Sequence, residues 1–229
     1  MKKLLLVICF ISIWAIGEVR AQDPQFSQFY AAPMYLNPGF TGTASQHRFN
    51  LIHRIQWPSL PKAFTTTGLS YDYNMRRLNS GFGLMFLHDK AGTGGMTRSN
   101  IGGFYTYKIQ LERGWVISPG LQFSYTQGNL DFSKLTLPDQ LEFNDSGVPI
   151  TSDPDARRVQ GTSFFDFATG LLVYNKLAWA GVSVYHLNEP NQSFTESEDR
   201  LPAKYSAHGG VRIPLYNGPQ ERDRISSIA

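Results

Sequence analysis

The 229-residue chain has one cysteine, Cys9, and it lies inside an apolar stretch near the N-terminus. Loss of that stretch would leave no thiol, which excludes disulfide stapling and thiol chemistry. Beyond residues 4–16 no apolar run approaches the roughly 20 residues that a membrane-crossing helix needs. Charged residues are scarce, at 17 %, against about 25 % in soluble domains. The net charge is only +3 and no basic run occurs, so nothing points to nucleic acid. Heptads and 3.6-residue apolar stripes are missing as well. Such a chain is either a soluble β protein or one that enters a membrane with strands.

Catalytic signatures are also missing. There is no G-x-S-x-G elbow, no H-E-x-x-H and no P-loop. Gly92, Gly94 and Gly95 lack dinucleotide spacing and read as a loop tip. His47, His53, His88, His186 and His208 are scattered, with no local metal spacing. The stretch 128–161 carries Asp131, Asp139, Glu142, Asp145, Asp153 and Asp155, without the spacing of a calcium loop. It reads as a solvated acidic loop, which Arg157 and Arg158 close. No two carboxylates are placed for glycoside chemistry. The expectation is no enzyme, no cofactor and no metal.

At the N-terminus, residues 1–21 have the form of a signal peptide. Lys2 and Lys3 are its basic end, 4–16 its apolar run, and Val19-Arg20-Ala21 its small-residue cleavage site. Cys9 sits within the run, so it does not fit a lipoprotein signal.

The remainder alternates with a period of two, the signature of half-buried strands. Trp115, Ile117, Pro119, Leu121, Phe123 and Tyr125 share one face, opposite Val116, Ser118, Gly120, Gln122, Ser124 and Thr126. Similar patterns around Phe49–Trp57, Phe82–Phe86, Ile101–Ile109, Phe165–Val173 and Tyr205–Ile213, with weaker ones at 64–73 and 177–186, give eight candidate strands. Most have the 9–11 residues that a tilted strand needs to cross a bilayer. The links after the second, fourth and sixth are short: 74–80, 110–114 and 175–176. Those after the odd strands are longer: 58–63, 90–98, 128–161 and 187–203. Short turns on one rim and longer loops on the other mark outer-membrane barrels, whose short turns are periplasmic. The first strand would then leave from the periplasm, where an exported N-terminus lies. The alternating polar face is mostly Gly, Ser, Asn, Gln and Thr, as an enclosed lumen allows. A soluble sandwich would show a charged, washed face there. The fold class expected is all-β, a transmembrane antiparallel barrel, with a bulge at Pro119 to accommodate its missing amide.

Between leader and strands, residues 22–42 place Phe26, Phe29, Tyr30, Tyr35 and Phe40 among Pro24, Pro33 and Pro38. That proline spacing forbids a regular helix, and so many aromatics do not belong in an exposed loop. The segment needs a surface to dock on. Phe26, Phe29, Tyr30 and Tyr35 are the expected anchors at the periplasmic mouth, and Asn37-Pro38-Gly39 a turn into the first strand. Burial of each Phe-sized group is worth about 1.5–3 kcal/mol. The organisation expected is a leader over 1–21, a plug or docking segment over 22–46 and a barrel over 47–229.

The wording of this segment, D-P-Q-F-S-Q-F followed by P-M-Y-L-N-P-G-F-T-G, resembles the start of the mature PorP/SprF family. These are outer-membrane proteins of the Bacteroidetes type IX secretion and gliding machinery. The resemblance implies outer-membrane location after cleavage near Ala21. It implies a role in export or surface anchoring of cargo with C-terminal type IX signals, gliding adhesins included. Its implied partners are other periplasmic and outer-membrane subunits, that cargo, and outer-membrane lipid. Members are usually longer and form a larger barrel. Residues 217–219 read as a turn and 225–229 as the opening of a ninth strand, so the chain is expected to be the N-terminal portion of such a barrel. The alternative is closure at eight strands, which would leave little lumen. Two other functional classes stay open: a passive outer-membrane channel or small-solute transporter, and a soluble periplasmic sandwich.

Overall fold

A computed structural model describes residues 26, 28–59, 63–92, 95–131, 159–194 and 198–213. The leader, the middle of the acidic stretch 128–161, the turn at 217–219 and the strand opening at 225–229 lie outside them.

The strands are β1 (His47–Gln56), β2 (Phe64–Met75), β3 (Ser80–Ala91), β4 (Met96–Tyr107), β5 (Ile109–Gln110), β6 (Val116–Asp131), β7 (Val159–Tyr174), β8 (Ala178–Tyr185) and β9 (Lys204–Val211). All neighbours pair antiparallel, in the order β1-β2-β3-β4-β6-β7-β8-β9, with the two-residue β5 pairing β6. This one sheet curls into a half-barrel. Alternation decides the face of each side chain. Phe49, Leu51, Leu84, Ile101, Leu121, Phe123, Phe165 and Tyr205 are exposed on the convex face, Leu51 by 75 %. Asp72, Thr106, Ser118, Gln122, Ser124, Asp166 and Ser183 are buried on the concave face. Outer aromatics pair across strands, as Phe123 does with Phe167 at 4.4 Å and Phe82 with Tyr105 at 5.2 Å. Phe123 and Phe165 lie side by side and remain exposed, with no second sheet over them among the described residues. A soluble sandwich would have buried this face.

Four expectations need correction. Pro119 makes no bulge: it pairs with Leu171 in unbroken register. On its other side the ladder lapses between β4 and β5, and the same offset resumes with Ile109 opposite Ile117. The missing amide therefore falls where no described ladder partner exists. The link after β3 is not long, because Lys90 and Asp89 continue the ladder with Thr97 and Arg98. β6 and β7 likewise extend into the expected acidic loop, pairing Asn129 with Gly161 and Asp131 with Val159. Polar residues at a wet rim can pair as well as apolar ones, so polarity marked the loop too early. Lastly, the concave face is not only polar: Met85, Leu87, Phe104, Ala168 and Leu172 are buried on it.

Candidate docking segment on the concave face

Those apolar residues are covered by the chain that precedes β1. Pro33 begins a single helical turn, Pro33–Leu36, where its lack of an amide costs nothing. Asn37 leaves that turn in extended conformation, and its Oδ1 accepts from Gly39 N at 2.7 Å. This local bond starts a second turn, Pro38–Phe40, in the manner of Asn-initiated turns. Thr41 and Thr43 close it by donating their hydroxyls to Pro38 O and Phe40 O at 2.8 and 2.7 Å.

The strands hold this shape by its backbone. Tyr185 and Ser183 of β8 donate to the carbonyls of Tyr35 and Leu36 at 2.7 and 3.0 Å. Ser118 of β6 donates to Gly39 O and Thr106 of β4 to Thr41 O, both at 2.9 Å. Gly42 N donates to Asp72 Oδ2 of β2 at 2.6 Å, and Gly42 O accepts from the Lys108 ammonium. Asp72 also accepts from Arg48 Nε at 2.8 Å and Nη2 at 3.0 Å, while that Nη2 reaches Phe40 O at 2.9 Å. Lys108 lies beside the β4–β6 turn. Burial pushes its pKa down to about 8, while Asp72 pulls it back up and Arg48 and Arg76 push it further down. The polar concave face is thus a set of side chains aimed at main-chain groups of the segment.

Close approach requires glycine. A Cβ on Gly120 would lie 2.5 Å from Gly39 N, and one on Gly170 would strike the Asn37 amide. At the centre, fully buried Asn37 donates Nδ2 to Val182 O at 3.0 Å and Leu171 O at 3.3 Å, and lies 3.3 Å from His208 Nε2.

The sequence-based anchors fall unequally. Phe26 is buried with Ala32 and Leu87, and meets Tyr35 edge-on at 5.3 Å. Tyr35 is half-buried, Asn37 and Pro38 buried. Tyr30 is the more exposed of them, at 46 %. The Phe29 side chain lies outside the description. The segment does not stop at one mouth. Gly42 lies beside Gly81 near the β2–β3 turn, and Phe26 reaches Leu87 and Gly68 well along the strands. Sequence reasoning missed Met34, only 1 % exposed against Met85 and Phe104, and the Arg48–Asp72 pair. Runs with no polar alternate, such as Leu84-Met85-Phe86-Leu87, were the available signal, since strands covered on both faces lose their alternation. Among the described residues no three His, Cys, Asp or Glu side chains converge on a metal position.

A curled antiparallel sheet with a greasy convex wall and its own N-terminal segment on the polar concave wall defines a membrane β-barrel protein. No helix among the described residues is long and apolar enough to cross a membrane. The chain belongs to the PorP/SprF family: the family model described as type IX secretion system membrane protein PorP/SprF matches residues 18–225. No curated protein and no solved structure matches the chain.

Proposed function

We propose that the protein sits in the outer membrane after cleavage near Ala21 and serves type IX export by non-covalent binding, without catalysis. Its cargo carries C-terminal type IX signals, gliding adhesins included in gliding species, and its partners are periplasmic and outer-membrane subunits of the machinery. Residues 22–46 act as a plug that is also a partner surface. Family membership supports the secretion role. The observation that supports the plug is the run of main-chain bonds from Tyr35 to Gly42, made by β2, β4, β6 and β8.

The test replaces Phe26 and Phe29 together with Ala in the full-length protein, and reads barrel assembly and cargo export separately. Export lost with the barrel intact supports a partner surface. Loss of the barrel itself would reduce the segment to a stabilising plug, and unchanged export would remove it from function.

A further inference from the structure

The rim formed by the short turns carries a charge pattern that docking of the segment does not use. The β2–β3, β4–β6 and β7–β8 links expose Arg76, Arg77, Arg113 and Lys176. Exposed Arg212, just past β9, joins them, its amide donating to Leu177 O at 2.6 Å. Against these cations the described residues of the three links set one exposed acid, Glu112. Arg76 donates to Ser45 O at 2.8 Å. Arg77, Arg113, Lys176 and Arg212 have no side-chain hydrogen bond or ion pair among the described residues. The exposed charges described on the opposite rim are mixed: Lys90 and Arg200 stand against Glu189, Glu198 and Asp199, with Arg200 Nε 3.6 Å from Glu198 Oε2. Net positive charge therefore gathers at the short turns.

Each of these turns also exposes a leucine beside its cation: Leu78 after Arg77, Leu111 before Arg113, and Leu177 after Lys176. The height of the convex wall says what those leucines meet. On β6 the outward residues are apolar from Ile117 to Tyr125, and the next, Gln127, is polar and exposed. That stretch runs about 27 Å along the strand at roughly 3.4 Å per residue, or about 20 Å of height at a tilt of roughly 40–45°. The apolar band of a membrane barrel is about 25 Å tall. Gln127 closes the band on the long-loop side, so the remainder falls to the turn leucines. They continue the hydrocarbon-facing wall to its edge, and the cations lie one or two residues beyond it.

We infer that the short turns form a collar for anionic phospholipid headgroups of the periplasmic leaflet. Arg77, Arg113, Lys176 and Arg212 bind phosphate oxygens, while Leu78, Leu111 and Leu177 sit at the acyl boundary. The inference rests on the outer-membrane location proposed above. Charge complementarity and continuity with the wall carry it. Long basic side chains keep their stems in apolar surroundings and their heads in the polar layer, and a guanidinium takes phosphate oxygens in pairs. Each cation near an anionic lipid surface strengthens attachment about fivefold. An acidic protein would match the cations but not the level of the leucines. Such a collar fixes the height of the rim beside which the Gly42 end of the docked segment lies.

The experiment titrates the full-length protein in neutral detergent with phosphatidylglycerol that carries a brominated acyl chain, and reads quenching of tryptophan fluorescence. Trp115 and Trp179 stand next to these turns. The expected affinity is about tenfold or more above that for brominated phosphatidylcholine. Arg77→Gln combined with Arg113→Gln should lower it about 25-fold, at about fivefold per cation. Lys90→Gln combined with Arg200→Gln, on the opposite rim, should change it by less than about threefold. Heat-modifiable gel mobility should stay unchanged, since all four side chains are exposed. If the Arg77 and Arg113 variant does not assemble, Lys176→Gln alone decides, with a loss of about fivefold expected. Equal affinity for the two lipids overturns the inference, as does an equal loss in the opposite-rim variant. So does displacement of the lipid by a soluble poly-glutamate peptide at a lower concentration than the lipid, which would assign the rim to an acidic protein. Density-gradient fractionation of cell membranes is read separately: a protein absent from the outer-membrane fraction sinks the location reading, whatever the titration gives.

Discussion

Asn37 offers the sharpest test of how the segment is held. Replacing it with Ala removes the Oδ1 that receives Gly39 N at 2.7 Å, and the Nδ2 that bridges Val182 O and Leu171 O. Each lost bond is worth about 0.5–1.5 kcal/mol, and an unmet buried amide costs about 1–3 kcal/mol. Strand carbonyls already share ladder bonds, so the Gly39 amide dominates, and local docking should weaken by about 2–4 kcal/mol. At 1.4 kcal/mol per decade that is about 30- to 700-fold. Native-state hydrogen exchange reads it directly. The amides of Phe40, Thr41 and Thr43, bonded to Asn37 O, Pro38 O and Phe40 O, should exchange faster by that factor, while β3 amides stay unchanged. A companion change refines the result. Ala at Gly170 would put a Cβ against Asn37 Oδ1 and Cγ, and 3.1 Å from Pro38 Cδ. With Asn37→Ala already present, the first two obstacles vanish. The double mutant should therefore be better than additive by about 0.5–3 kcal/mol. Exchange of Phe40 and Thr41 within about threefold of the parent, or strict additivity, would refute this account.

Other outcomes follow from the same geometry. Leu121→Arg, on the convex wall at 59 % exposure, should cost about 2–4 kcal/mol in urea titrations of protein folded into lipid vesicles if this wall meets hydrocarbon; a change within about 0.5 kcal/mol would mean that it meets water. Asp72→Ala leaves Gly42 N without its acceptor and Arg48 without its counter-charge, and should cost about 3–5 kcal/mol in the same titration, the usual loss when one member of a buried pair is removed. A loss under about 1 kcal/mol would mean that the pair is solvated like a surface one.

The strands were legible because a bilayer and a lumen impose opposite demands on neighbouring residues, and Trp115–Tyr125 record both. The turns after β2 and β7 were legible for the same reason: the alternation simply breaks at them. What escaped was anything set by three bodies at once. Met85 and Leu87 violate a polar lumen because Met34 and Phe26 cover them. Gly120 and Gly170 look like ordinary strand glycines until the segment comes within van der Waals range. The segment from Phe26 to Gly42 was legible as something that docks, from its aromatics and prolines. Which residues receive it was not, since hydroxyls on β4, β6 and β8 are far apart in sequence. Pro119 misled because its strand alone was considered; whether a missing amide matters depends on what stands opposite.

The docked segment continues through 43–46 straight into His47 of β1. It is therefore hinged to the very wall it lines, and could swing aside but never be expelled. Any passage that opens beside it would be a crescent with one sliding margin. The width of that crescent would be limited by the few residues of slack before β1, rather than by the girth of the barrel.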